Sequence, residues 1–67
     1  LNKVKKYRTQ MKLTQIELAK KVGVARQTIN LIENNKYNPS LSLCICLAKE
    51  LKTDLNTLFW EEIDNEK

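Results

Sequence analysis

Apolar residues recur at helical spacing along almost the whole chain, with polar residues filling the intervals between them. Leu18 and Val22 share one stripe, Ile29 and Ile32 a second, and Leu55, Leu58 and Phe59 a third. The pattern predicts an all-α fold of five short helices, over residues 2–11, 14–22, 25–34, 40–51 and 54–60. The start signals agree with these intervals. Thr14 followed by Glu17 is a capping box, in which the hydroxyl accepts from the Glu17 amide and the carboxylate reaches back to the Thr14 amide. Ser40 after Pro39 and Asp54 before Leu55 are further N-caps. Asn35 follows the third helix and suits the left-handed conformation that ends it.

The second and third helices can share a core only if the chain turns sharply between them. Gly23, the single glycine of the sequence, stands at that point, where a positive φ penalises a β-carbon. Ala19 is then the small residue at the helix crossing, and Val24 plugs the turn into the core. The unit is a helix-turn-helix. In the fourth helix the predicted buried arc is Leu41, Cys44, Ile45, Leu47, Ala48 and Leu51, and Cys46 shares the polar side with Ser42 and Lys49.

Composition narrows the function. The 67 residues are expected to form one domain, 1–67, with a core small enough that dimerisation helps to stabilise it. No apolar run approaches the roughly 20 residues that span a bilayer, and no signal-peptide pattern occurs, so the expected location is the cytoplasm. Cys44 and Cys46, two apart on a helix, point about 200° from each other and cannot pair. With no histidine in the chain, neither a metal site nor a cofactor is expected. An exposed Cys46 has no neighbouring bases to favour a reactive thiolate. An enzyme is disfavoured too, because paired catalytic carboxylates and a phosphate-cradling glycine loop are both missing. The net charge is +4, but residues 1–37 hold nine Lys or Arg against two acids, and residues 38–67 hold three Lys against six. A positive half opposite an acidic tail suits nucleic acid or an anionic membrane surface.

Placed at about 100° per residue, Arg26, Gln27, Asn30, Leu31 and Asn34 occupy an arc of about 140° on the third helix, opposite Ala25, Ile29 and Ile32. That arc contains no acid. It offers an arginine for guanine, Gln and Asn for adenine and an apolar group for the thymine methyl, the side chains that read base edges in a major groove.

The stretch TQIELAKKVGVARQTINLIENNKYNPSL resembles the Cro/C1-type (XRE) repressors, most of all the small stand-alone members of that family, and the likeness runs from about Val4 to Phe59. The resemblance implies a five-helix, lambda-repressor-like DNA-binding domain that acts as a homodimer on near-palindromic double-stranded operators. It matches Arg26, Gln27 and Leu31 to base-reading positions, with Asn30 beside them. It matches Gln15, Thr28, Asn34, Lys36, Tyr37 and Asn38 to contacts with backbone phosphates, Gln15 at the amino end of helix two and the last four in or beside the loop after the recognition helix. It also implies a structural salt bridge between Arg8 and Glu33, which keeps an acid on the reading helix away from phosphates. Lys3, Lys5, Lys6 and Lys12 add a diffuse positive field.

Three residues depart from the family pattern. Ala25 stands where a Ser or Thr cap is usual, at a cost of about 1 kcal/mol, Lys12 replaces a glycine of the first turn, and Ile16 replaces a polar residue. At the carboxyl end, Leu55, Leu58 and Phe59 face inward and leave Trp60 and Ile63 without a core. A two-fold contact built from Leu55, Leu58, Trp60 and Ile63, with a short terminal β-strand from FWEEI, would set two recognition helices about 34 Å apart. Partners are thus expected to be operator DNA and a second copy of the chain, with no membrane. The alternative is an antitoxin or restriction-control protein, which shares the fold and binds a protein partner as well.

Overall fold

The chain was described from a computed structural model covering residues 2–60, the last of these by its backbone alone. Four α-helices, α1 (Val4–Gln10), α2 (Gln15–Val22), α3 (Arg26–Glu33) and α4 (Leu41–Glu50), precede a π-helical turn, α5 (Asn56–Trp60). The starts are set by side chains. The Thr14 hydroxyl accepts from the Glu17 amide at 3.0 Å and the Glu17 carboxylate from the Thr14 amide at 2.8 Å, which completes the capping box. Ser40 accepts from the Leu43 amide at 3.2 Å, and Asp54 from the Thr57 amide at 2.7 Å. Ala25 enters α3 in extended geometry with no side-chain cap.

All four α-helices end alike. Lys12, Gly23, Asn35 and Lys52 take positive φ values of 60°, 76°, 59° and 58°. Past each, one amide reaches back five residues: Leu13 to the Arg8 carbonyl, Val24 to Ala19, Lys36 to Leu31 and Thr53 to Ala48, at 3.1, 3.0, 2.8 and 2.9 Å. These are left-handed closures that satisfy carbonyls the helix itself cannot. A β-carbon at Gly23 would meet no atom within 4 Å, so the glycine answers to its φ and not to crowding. Lys12, in place of the family's usual glycine, adopts the left-handed conformation all the same.

Val4, Leu18, Ala19, Ile29, Ile32, Leu47, Ala48, Leu51 and Leu58 form the core, with Val22 and Val24 packed against it at the turn. Ala19 is buried at 3% exposure on α2, a helix that packs against both α3 and α4. The Lys3 amide donates to the Leu58 carbonyl at 2.9 Å and ties the start of α1 to α5.

Two expectations are corrected. Leu41 and Ile45 are 68% and 39% exposed, whereas Leu43 packs against the core. Helix α4 is apolar nearly all round, so periodicity alone cannot select its inward stripe; the stripe is Leu43, Leu47 and Leu51, with Ala48 beside it. Leu58 is fully buried in its own chain's core, so it cannot line a two-fold contact. Leu55 is half-buried against the same core. Phe59 and Trp60 lie in the helical turn; the rest of the expected strand, with Ile63, falls outside the described residues, as does the side chain of Trp60.

Candidate nucleic-acid interface

Helix α3 separates its faces cleanly. Ile29 and Ile32 are fully buried, and Arg26 and Gln27 are exposed. Asn30 is half-buried and Asn34 exposed. Leu31, placed on the outward arc, is half-buried and not fully exposed; beyond it the left-handed turn at Asn35 brings the Lys36 amide to the Leu31 carbonyl. Thr28, in the first turn, is half-buried, and its amide bonds to the Ala25 carbonyl.

The one acid of α3 is turned inward. Arg8 Nε donates to Glu33 Oε2 at 2.6 Å and Arg8 Nη2 to Glu33 Oε1 at 3.2 Å, while Arg8 Nη1 donates to the Leu13 carbonyl at 2.8 Å. Their side chains are only 10% and 3% exposed. A two-pronged pair of this kind neutralises the carboxylate where it stands and joins α1 to α3. Phosphates approaching α3 therefore meet no free negative charge from the helix itself.

A polar network continues outward from the pair. Gln15 Nε2, at the start of α2, donates to Glu33 Oε1 at 3.0 Å and to Asn30 Oδ1 at 3.4 Å. Asn34 Nδ2 donates to the Asn30 carbonyl at 2.8 Å and to Asn30 Oδ1 at 3.1 Å. Both amide hydrogens of Gln15 and both of Asn34 are thus engaged inside the protein. At the amino end of α2 the backbone N–H groups of Gln15 and Ile16 are the donors that a helix cannot satisfy internally. Lys36, Tyr37 and Asn38 are exposed in the loop that follows α3.

One contributor is absent from the sequence-level site. Asn2 Nδ2 donates to the Ile32 carbonyl at 2.8 Å and to Asn35 Oδ1 at 3.1 Å, while its Oδ1 accepts from the Val4 amide at 3.0 Å. It clamps the carboxyl end of α3, and the loop beyond it, to the start of α1. An asparagine just ahead of Val4 signals a nearby helix start, whereas its contact with α3 has no local signature.

Among the described residues no group of His, Cys, Asp or Glu is placed to hold a metal, and no helix is long and apolar enough to cross a membrane. Cys46 is exposed; Cys44 is half-buried, and burial raises its thiol pKa.

The helix-turn-helix family model matches residues 4–58, the whole stretch from α1 into α5. The chain belongs to the Cro/C1-type helix-turn-helix family of transcriptional regulators. It is 49% identical over 63 residues to an HTH-type transcriptional regulator of Methanocaldococcus jannaschii, covering 94% of this chain and 96% of that one. It is 37% identical over 60 residues to the immunity repressor protein of Bacillus phage phi105, covering 90% of this chain and 42% of that one. Two solved structures of SinR share the fold. One, in complex with DNA, has a TM-score of 0.74 and 33% identity over 81% of this chain and 87% of that chain. The other, a complex with SinI, has a TM-score of 0.81 and 32% identity over 92% of this chain and 61% of that chain. Helix-turn-helix regulators of this family bind DNA and are not enzymes; α2 and α3 are the helix-turn-helix.

Proposed function

We propose that the chain is a sequence-specific repressor that binds a near-palindromic double-stranded operator as a homodimer, with α3 in the major groove. The observation that carries this reading is the division of labour on α3. Arg26 and Gln27 are exposed with the half-buried Asn30 beside them and no acid among the three, and Glu33 is neutralised by Arg8. Arg26 donates two hydrogen bonds to a guanine, Gln27 reads the neighbouring base, and Leu31 meets a thymine methyl. Lys36, Tyr37 and Asn38 grip the backbone on one flank, helix α2 offers its first amides on the other, and Thr28 and Asn34 sit at the groove edge. The solved SinR–DNA complex and the phage immunity repressor support this reading.

Two copies joined through α5 and the tail, by Leu55, Trp60 and Ile63 over a floor of Leu58, would match the two half-sites of an operator. Selection of tight binders from random duplex DNA tests the whole reading. The expected product is a two-fold-related pair of half-sites about one helical turn apart; recovery of no common sequence would refute it. A second reading, a regulator that also binds a protein, is supported by the SinR–SinI complex and by Leu41 and Ile45 exposed on α4. Co-expression with the products of the adjacent genes and co-purification of one of them would favour it.

A further inference from the structure

We propose that Asn30 selects guanine, because the protein fixes which end of its carboxamide faces outward. The inference rests on α3 occupying the major groove. A free asparagine suits adenine, whose N6 donates to the amide oxygen while N7 accepts from the amide nitrogen. Here that oxygen is taken: Oδ1 of Asn30 receives Asn34 Nδ2 at 3.1 Å and Gln15 Nε2 at 3.4 Å, one donor for each lone pair.

A carboxamide can be turned end for end, so its orientation must follow from its neighbours. Both neighbours are pinned by groups that only accept. Gln15 Nε2 also donates to the Glu33 carboxylate at 3.0 Å, and that carboxylate is itself held by Arg8. Asn34 Nδ2 also donates to the backbone carbonyl of Asn30 at 2.8 Å. Each therefore turns an NH2 group towards Asn30, and the atom that receives them has to be the oxygen. A reversed Asn30 would set its own NH2 against two others. The chain of constraint runs from Arg8 through Glu33 and Gln15 to the reading surface.

The nitrogen is left for the ligand. Nδ2 of Asn30 has no hydrogen-bond partner among the described residues, and every buried side-chain N or O atom there has one, so Nδ2 is open to solvent. It presents donors with no acceptor beside them. Guanine, with O6 and N7 both accepting, matches that edge; adenine sets its N6 amino group against it, thymine offers a single acceptor, and cytosine offers a donor. Asn30 is thus a specificity-determining residue whose preference is inverted by the buried ion pair behind it.

The test begins with the operator selected by the wild-type protein, on which the position read by Asn30 is the base pair whose preference Asn30→Ala abolishes. At that position the wild type is expected to favour guanine over adenine at least about fivefold, and 7-deazaguanine, which lacks the N7 acceptor, should lose most of the advantage. In the variant Gln15→Leu/Asn34→Ala the amide is free to turn, so the guanine-to-adenine ratio should fall at least about fivefold, while the preference at the Arg26 position persists. Adenine favoured by the wild type, an unchanged ratio in the double variant, or an Asn30→Ala protein with all preferences intact would overturn the inference and leave the DNA-reading role of α3 standing. A chain that selects no sequence at all would overturn both.

Discussion

Replacing Arg8 by alanine removes three hydrogen bonds together, two to the Glu33 carboxylate and one to the Leu13 carbonyl, from side chains only 10% and 3% exposed. The carboxylate is then left with the Gln15 amide as its remaining partner. Breaking a buried pair costs about 3–5 kcal/mol, mostly through the uncompensated charge. Taking about 3 kcal/mol, and about 4–8 °C per kcal/mol for a domain of this size, the melting temperature should fall by about 12–24 °C. That is a large share of the total stability, since about 0.05–0.15 kcal/mol per residue is usual. Thermal and urea melts followed by far-UV circular dichroism give the measurement. Arg8→Ala/Glu33→Gln keeps an acceptor for Gln15 while removing the stranded charge, and should recover at least about 1 kcal/mol. An Arg8→Ala melt within about 4 °C of wild type, or a double variant no more stable than the single one, would refute the reasoning.

Three other outcomes are expected. Gly23→Ala should cost about 1–2 kcal/mol in a urea melt, because φ is 76° and there is open space for the methyl group; a larger loss would mean that crowding matters there. Trp60→Ala should shift sedimentation towards monomer and weaken binding to a full operator far more than to a half-site, and an unchanged dimer would rule out the tail as the interface. The bond from the Thr57 amide lowers the pKa of Asp54, so its stabilising contribution is complete above the usual Asp range and is lost as pH falls through the lowered value. Asp54→Asn should therefore show a shallower loss of melting temperature below about pH 4 than wild type, and parallel profiles would contradict that assignment.

Much of this was legible where the chemistry is local. Thr14 with Glu17, Ser40 and Asp54 declare helix starts within three residues of themselves, and Gly23 and Asn35 declare ends, because each compensates a backbone group a few bonds away. Lys52 is left-handed with no residue-type signal to announce it. The inward stripe of α4 was not legible, since a helix apolar nearly all round is oriented by its neighbours and not by its own period. The recognition arc followed from periodicity, whereas the direction of each amide on it did not. Gln15 and Asn30 are 15 residues apart and Asn2 and Ile32 are 30 apart, so their bonds exist only once the helices are packed. The family resemblance matches Gln15 to a phosphate contact, whereas in the folded chain its side-chain amide is bonded to Glu33 and Asn30.

The central claim, that α3 reads bases while the loop after it grips phosphates, is tested most directly by comparing Arg26→Ala with Lys36→Ala. Both proteins would be titrated, over a range of salt concentrations, against the selected operator, its single-base variants and unrelated duplex DNA. Arg26→Ala should cost about 1–3 kcal/mol on the operator, flatten the preference at one base pair of each half-site, and lower non-specific affinity much less. Lys36→Ala should weaken every sequence nearly equally and reduce the salt slope by about 1 per half-site, with base preferences intact. If Arg26→Ala lowered all affinities uniformly, or Lys36→Ala changed the preference at a single base pair, α3 would not lie in the groove as proposed.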